Sequence, residues 1–293
     1  MLGIVSVTVG AWLATQGGAT AQTTAWRSSR AAADESNPFV LLPDHAVFQP
    51  LLADQRWPHF GAEMRFYDKN DMFDHLDTID IGGGLPLVRY SARDKQQWEF
   101  GIQGSVVSIF DPDMAHTAML NNDYIVSLPL SYRFQQFSAM FRMSHQSTHL
   151  GDEYILEKGT NDVVKISYEF VDLMASYDVS PHLRTYAAAG YRTSGKPKDF
   201  DPWSARAGFE ARTPSTYLKN MVQPVFAFDA LSQQEFHWNV NLVARGGVEI
   251  QSTDMSGHPV QFLVEYFDGH TMDGQFYDNK AKYFGILLRT DFH

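Results

Sequence analysis

The chain has 293 residues, of which 44% are hydrophobic and 14% aromatic, with a formal net charge of −11 and no cysteine. The absence of cysteine excludes disulfide bonds, thiol chemistry and a lipid anchor on an N-terminal cysteine. The acidic charge argues against nucleic acid as a partner, because the phosphate backbone would be repelled.

The N-terminal residues 1–21 carry no charge, are apolar in the middle and end in Ala19-Thr20-Ala21. An apolar stretch that ends in small residues is typical of a secretory signal peptide. We therefore expect residues 1–21 to be a signal peptide that is cleaved on export. Residues 22–57 show no strand periodicity, and we expect an irregular segment there.

From residue 58 onward, apolar and polar side chains alternate in segments separated by turn residues. This pattern is typical of transmembrane β-barrels, whose strands present one face to lipid and one to the lumen. The expected strands lie near 59–67, 78–90, 97–109, 122–134, 137–149, 162–176, 183–193, 203–212, 222–230, 238–251, 259–267 and 281–292.

Charged residues recur on the polar face of these segments. A soluble β-sandwich cannot bury that many charges at mid-strand, whereas a polar barrel lumen can pair them. The predicted inward charges are Glu63, Arg65, Arg133, Arg142, Arg206, Glu210, Arg245 and Glu249. We therefore predict an all-β protein in which residues 58–293 form a closed antiparallel transmembrane β-barrel of about 12 strands, located in the bacterial outer membrane.

The two ends of the predicted barrel domain give further expectations. The irregular segment 22–57 lies in the periplasm or plugs the lumen. The last strand ends in Phe292, a terminal pattern that resembles the signal read by the barrel-assembly machinery, although His293 follows. This machinery is therefore an expected partner of the C-terminal strand.

The most informative strand is the segment 137–149. Its odd positions begin with apolar Phe137 and end in His145, Ser147 and His149, while its even positions are mostly polar. In a barrel the odd face contacts lipid. A histidine and a serine are then expected on the lipid-facing wall at the outer rim.

A serine and a histidine two residues apart on a strand project from the same face, with Cβ atoms about 6.5–7 Å apart. This spacing permits the imidazole to accept the serine proton, which activates the serine as a nucleophile. We expect the next hairpin to place His145 opposite Ile166 and His149 opposite Asp162. Asp162 is then the predicted group that orients the imidazole, and Asp152 and Glu153 are alternatives from the loop.

Two other interpretations of the same residues stay open. His145 and His149, together with Asp152 and Glu153, form a candidate metal site of imidazoles and carboxylates. Alternatively, these residues have structural roles in loop packing, lipopolysaccharide contact or assembly. A non-enzymatic barrel that acts as a structural element or a narrow channel is consistent with the charged lumen.

His145-Gln-Ser147 at the rim of a roughly twelve-stranded barrel resembles outer membrane phospholipase A, and the lipid A deacylases use a similar lipid-facing pair. In the phospholipase a His-x-Ser pair faces the membrane, an Asn lies on the neighbouring strand, and calcium is the cofactor. The resemblance implies a serine lipid hydrolase that acts on outer-membrane lipids or lipopolysaccharide, with calcium as its cofactor. The sequence leaves open whether the barrel forms a homodimer.

Over nearly its whole mature length, the chain also resembles a bacterial outer-membrane family of unknown function. The motifs that carry this resemblance are Phe48-Gln-Pro-Leu-Leu-Ala-Asp54, Ser144-His-Gln-Ser-Thr-His-Leu-Gly-Asp-Glu-Tyr154, and Asp268-Gly followed by Gly274-Gln-Phe276. The resemblance implies the barrel fold and no particular activity.

Overall fold

The structure is a computed structural model that describes residues 37–68, 73–114, 117–158, 166–251 and 258–292. The expected signal peptide, residues 1–21, lies outside the described residues. In the described ranges, no helix combines the length and the apolar character needed to cross a bilayer.

Strands account for most of the described chain. They are β1 (Phe39–Leu41), β2 (Phe60–Tyr67), β3 (His75–Ser91), β4 (Gln97–Asp111), β5 (Ala118–Phe134), β6 (Phe137–Leu150), β7 (Ser167–Ser180), β8 (Leu183–Lys196), β9 (Trp203–Arg212), β10 (Val222–Gln233), β11 (Val240–Ile250), β12 (Val260–His270) and β13 (Lys280–Thr290). Within the described ranges, β2 to β13 each pair antiparallel with the next, and β13 pairs with β2. This closure confirms the predicted twelve-stranded antiparallel barrel.

The two ends of the barrel differ in their connections. At one end, two-residue turns join β5 to β6 and β7 to β8. At the other end lie the helix α1 (Asp152–Lys158) and two short 3-10 helices, Gln234–Phe236 and Gly274–Phe276. We call these the turn end and the loop end. Outer-membrane barrels have their longer loops outside, and on this rule we expect the loop end to be the extracellular side.

The barrel wall has an apolar outer face and a polar inner face. On β6, Phe141 and Met143 are exposed on the outer face, while Arg142 is buried inside. Six of the eight charges predicted to point inward are buried, and the other two are partly buried. Side-chain pairing offsets their desolvation, as in the Arg245–Glu265 ion pair at 2.5 Å.

Residues 44–59, which we call the lumen segment, lie inside the barrel. The carbonyl oxygen of Leu52 accepts hydrogen bonds from Arg245 Nη1 at 2.7 Å and from Arg289 Nη1 at 3.2 Å. The backbone N–H of Leu52 donates to Glu210 Oε1 at 2.7 Å. Inward charges of the wall therefore satisfy the backbone of a segment that has no regular structure of its own. Of the expected irregular segment 22–57, the described residues from 44 onward thus lie inside the barrel, whereas β1 pairs with β3.

Apolar packing also holds the lumen segment in place. Phe48, Leu51 and Trp57 pack with Met140 and other inward side chains of β6 to β8. A second cluster contains Leu52 and Ala53 with residues of β10 to β13. Within the 48–54 motif, Phe48 and Leu51 thus pack on one side of the lumen, and Leu52 and Ala53 pack on another.

The loop between β12 and β13 folds into the loop end of the barrel. Asp273 accepts a hydrogen bond from Arg65 Nη1 at 3.1 Å, and the Gly274 N–H donates to Asp123 Oδ2 at 3.1 Å. Phe276 packs edge-on against Phe73, with ring centroids 5.5 Å apart. The loop therefore covers this end of the lumen, which explains the Gly274-Gln-Phe276 motif.

Candidate active site on the outer wall

The outward face of β6 carries the residues that the alternation predicts. His145, Ser147 and His149 lie outside, whereas Gln146 and Thr148 are buried on the lumen side. The strand therefore presents a histidine–serine–histidine row on the outer wall near the loop end.

Glu169 of β7 lies directly opposite His145 and holds its imidazole. The His145 Nδ1–H donates to Glu169 Oε1 at 3.1 Å, and the other carboxylate oxygen accepts a hydrogen bond from Ser194 Oγ of β8. The side chains of His145 and Glu169 are 43% and 50% exposed, so the pair lies on the surface of the wall. A donor Nδ1 leaves Nε2 as the acceptor nitrogen of the neutral ring.

The expected register between β6 and β7 was wrong. The structure pairs His145 with Glu169 instead of Ile166, a difference of three residues. An odd shift exchanges the two faces of a strand. Ile166 is accordingly buried, and Tyr168 lies inside, where its hydroxyl donates to Gln146 Oε1 at 3.0 Å. The physical reason is the longer connection, which includes α1 and delays the start of β7 to Ser167.

The acidic candidates of the sequence do not contact the imidazole in the described structure. Asp162 lies outside the described residues. Asp152 and Glu153 form the acidic first turn of α1 and are exposed. Among the described residues, neither forms an ion pair with His145 or His149, and the imidazole of His145 contacts Glu169 instead, a residue that the sequence did not predict. The sequence feature that could have identified Glu169 is an acidic residue at an outward position of the strand after β6.

Ser147 lies between Tyr124 of β5 and Ser167 of β7 in the sheet register. Its side chain makes no hydrogen bond to another described residue, and His145 Nε2 is also free of partners in the described part of the chain. Both groups face the same side two residues apart, about 6.5–7 Å between Cβ atoms from strand geometry. Nucleophile activation requires Oγ and Nε2 within hydrogen-bond distance, which this spacing permits for suitable rotamers of the two side chains.

The predicted metal site is not assembled among the described residues. His149 packs edge-on against the Tyr124 ring, with centroids 5.6 Å apart. No group of three or more His, Asp or Glu side chains in the described ranges is arranged to hold a metal ion. Calcium takes six to eight oxygen ligands, and His149 with Asp152 does not supply such a set. The described residues therefore do not fit the calcium cofactor that the resemblance implied.

The outer wall changes from apolar to polar side chains at the level of this site along the barrel. One row closer to the turn end, the register runs from Met143 through Val171 and Tyr191 to Trp203. The Tyr191 and Trp203 rings contact each other at 4.7 Å between centroids. Aromatic residues of this kind form the girdles of outer-membrane barrels at headgroup depth. The His145–Glu169 pair thus lies where apolar wall gives way to polar rim.

Solved structures with a similar fold are outer-membrane barrels. The Salmonella typhi outer membrane phospholipase, determined as a dimer with bound calcium, aligns with 81% of this chain and 93% of its own, at 10% identity and a TM-score of 0.53. Outer membrane phospholipase A from Escherichia coli aligns with 82% of this chain and 93% of its own, at 12% identity and a TM-score of 0.52. At this identity the similarity describes the fold alone.

The chain thus shares the closed β-barrel fold of these outer-membrane proteins. No protein of curated function matches its sequence. A family model described as "Protein of unknown function (DUF1207)" matches residues 18–292, and the chain belongs to that family.

Proposed function

We propose that this barrel is a serine lipid hydrolase that acts at the outer leaflet, with Ser147 as nucleophile, His145 as general base and Glu169 as the orienting carboxylate. The observation that carries the proposal is the 3.1 Å hydrogen bond from His145 Nδ1 to Glu169, beside a serine on the same outward face. Nucleophile, base and orienter are the three roles that serine hydrolysis requires.

The proposed reaction has two halves. Ser147 Oγ attacks the ester carbonyl carbon of a lipid while His145 Nε2 takes the hydroxyl proton, and His145 then gives that proton to the leaving alcohol. Water attacks the acyl-serine with His145 again as base, and the fatty acid leaves as Ser147 regains its proton. Glu169 holds the Nδ1–H and stabilises the imidazolium that forms at each step.

The position of the pair determines the substrate class that can reach it. Ser147 projects from the outer wall one outward position closer to the loop end than His145. It lies two outward positions closer to the loop end than Met143, whose neighbours across the sheet include Tyr191 and Trp203. Lipid ester bonds lie at headgroup depth, where such aromatic residues are also found. The exposed Tyr124 ring lies directly opposite Ser147 on β5, so a lipid ester at headgroup depth can reach Ser147 laterally from the bilayer.

The experiment measures fatty acid released from phospholipid and from lipid A by the purified barrel in detergent micelles. We expect release by the parent protein and a loss on the order of 10²-fold or more in Ser147→Ala and in His145→Ala. Ser167→Ala is the matched control, because Ser167 also faces outward and lies opposite Ser147 on β7. Activity in Ser147→Ala equal to that of the parent would exclude this mechanism.

Two further measurements address a requirement for calcium and the oligomeric state. The Salmonella phospholipase is described as a dimer with bound calcium, and both properties can be measured for this chain. Assays with calcium and with a chelator, together with cross-linking in micelles, test them. Because the described residues around Ser147 lack an oxygen ligand set, we expect activity to persist in chelator.

A closed, non-enzymatic barrel is the second candidate. It is favoured by the lumen segment, which fills the interior through charged and apolar contacts. Single-channel recording in planar bilayers tests it. A barrel without hydrolysis and without conductance would have a structural role in the outer membrane or a role in binding partners such as lipopolysaccharide.

A further inference from the structure

A cavity of about 120 Å³ lies inside the barrel between the lumen segment and the loop end. A single buried water requires about 10–15 Å³ on this measure, so the cavity has room for a small organic molecule. Four arginines line it: Arg56, Arg142, Arg192 and Arg206. His145 and Ser147 of the outward row are not among the described residues that line it.

Three of these arginines have carboxylate partners. Arg142 pairs with Asp172 at 2.9 Å, Arg56 Nη2 with Asp123 at 2.7 Å, and Arg206 with Asp54. Arg192 differs, because no carboxylate oxygen of the described residues lies within 4.0 Å of its guanidinium. The nearby carboxylate of Glu235 instead accepts the backbone N–H of Asp201 at 2.6 Å.

The Arg192 guanidinium lies close to two aromatic rings. Its Cζ lies 4.6 Å from the centroid of Tyr168 and 4.4 Å from that of Phe200. The Tyr168 hydroxyl is bonded to Gln146, and the Phe200 ring packs on Tyr277 at 4.8 Å between centroids, so both rings are fixed. Such cation–π contacts hold the guanidinium in place without supplying hydrogen-bond acceptors to its N–H groups.

Those N–H groups lack acceptors. Nε and Nη1 of Arg192 are buried without a hydrogen-bond partner in the described structure, and so is Nη1 of Arg56, which lines the same cavity. Buried donors are almost always satisfied, and leaving a charged one unpaired is costly. Two arginines with such donors around one cavity therefore form a setting that favours an anionic acceptor.

We propose that this cavity is a binding site for a small anion that carries a phosphate or carboxylate group. The oxyanion accepts hydrogen bonds from the edge of Arg192 and from Arg56 Nη1, and the lumen segment forms part of the cavity wall. Planar guanidinium groups bind phosphate and carboxylate oxygens in this way. The site is independent of the proposed hydrolase, because it uses the opposite face of the wall.

The test is a titration of the purified full-length barrel in a maltoside detergent, which has no phosphate of its own. Inorganic phosphate and glycerol phosphate are followed by ³¹P line broadening, and acetate by saturation-transfer NMR. We expect the parent protein to bind at least one of the three. The preferred probe distinguishes a free phosphate, a phosphate monoester and a carboxylate as the source of the anion.

Three variants distinguish binding in this cavity from nonspecific attraction of anions by the positive charge of arginine. Arg192→Gln should weaken binding at least tenfold, and Phe200→Ala, which removes one stacking ring from a loop, should weaken it to a smaller extent. Arg93→Gln is the control, since Arg93 is an exposed arginine at the turn end and its loss changes net charge equally. Retention of strand circular dichroism shows that each variant is folded.

Two outcomes would overturn the proposal. One is that none of the three anions binds the parent protein. The other is that Arg192→Gln and Arg93→Gln bind as tightly as the parent. Loss of binding in Arg192→Gln without any change in fatty acid release would support the anion site and leave the proposed hydrolase unaffected.

Discussion

His145 and Glu169 face each other across β6 and β7, and a 3.1 Å hydrogen bond joins the imidazole to the carboxylate on the outer wall. Exposed pairs of this kind contribute little to folding stability. Their position beside an outward serine, on a wall otherwise rich in apolar side chains, is what makes the pair chemically informative.

Glu169→Gln should lower kcat for lipid hydrolysis on the order of 10²-fold with little change in KM. The amide still accepts the His145 Nδ1–H, but it cannot stabilise an imidazolium as a carboxylate does. Initial rates over a range of lipid concentrations in micelles separate the two constants. Glu153→Gln is the informative comparison: a larger effect there than at Glu169 would favour the sequence-based assignment.

Leu51→Ala should loosen the lumen segment. Leu51 is fully buried in the cluster with Phe48 and Trp57, and truncating such a leucine costs about 2–5 kcal/mol. We expect more frequent open events in planar-bilayer recordings and faster proteolysis of residues 44–59. Leu41→Ala is the matched control, because Leu41 on β1 is 76% exposed. Equal conductance of the two variants would contradict a plugging role.

Acid should release the lumen segment only at very low pH. Burial raises the pKa of Asp54, but the charges of Arg206 and Arg142 outweigh burial and lower it from 3.8 to about 2. A lowered carboxyl pKa stabilises the docked state above the ordinary pKa, and this contribution is lost as the pH falls through the lowered value. Conductance should therefore stay low from pH 7 to about 4 and rise between about pH 4 and 2.

Asp54→Asn provides the complementary variant, since it removes the charge at every pH. Its conductance at pH 7 should be higher than that of the parent and should change less between about pH 4 and 2. A parent-like acid response in this variant would show that another group controls docking.

Gly274→Ala should displace the loop that covers the loop end. A Cβ at this glycine would overlap Asp123 Oδ1 and Thr148 Cγ2, and overpacking of this kind costs about 1–3 kcal/mol. We expect a lower midpoint of thermal unfolding and protease cleavage in the loop between β12 and β13. Gly246→Ala is the control, because its Cβ would lie 3.6 Å from Phe226, an ordinary contact. Indistinguishable midpoints for the two variants would rule out the tight packing at Gly274.

The barrel could be predicted from sequence because its signal is repeated in every strand. The alternation of apolar and polar residues predicted that His145 and Ser147 face outward. Inward charges such as Arg245 and Glu249 distinguished a polar barrel lumen from the apolar core of a water-soluble sandwich. Because every strand carries the same pattern, an error in the assignment of one strand does not change the predicted fold.

The third member of the candidate site could not be predicted in the same way. It depends on the register of one hairpin, and α1 within the connection shifts that register by three residues from Ile166 to Glu169. The position of the lumen segment was equally open, because Leu52 and Asp54 are held by contacts with distant strands and show no local periodicity. Register and long-range contacts require the three-dimensional structure.

The central claim is that Ser147 is an activated nucleophile on the lipid-facing wall. The most direct measurement is mass spectrometry of the micelle-embedded barrel after reaction with a fluorophosphonate probe. We expect a covalent adduct on Ser147 that is strongly reduced in His145→Ala and in Glu169→Gln. An unlabelled Ser147, or labelling that is equal in the parent and both variants, would contradict it.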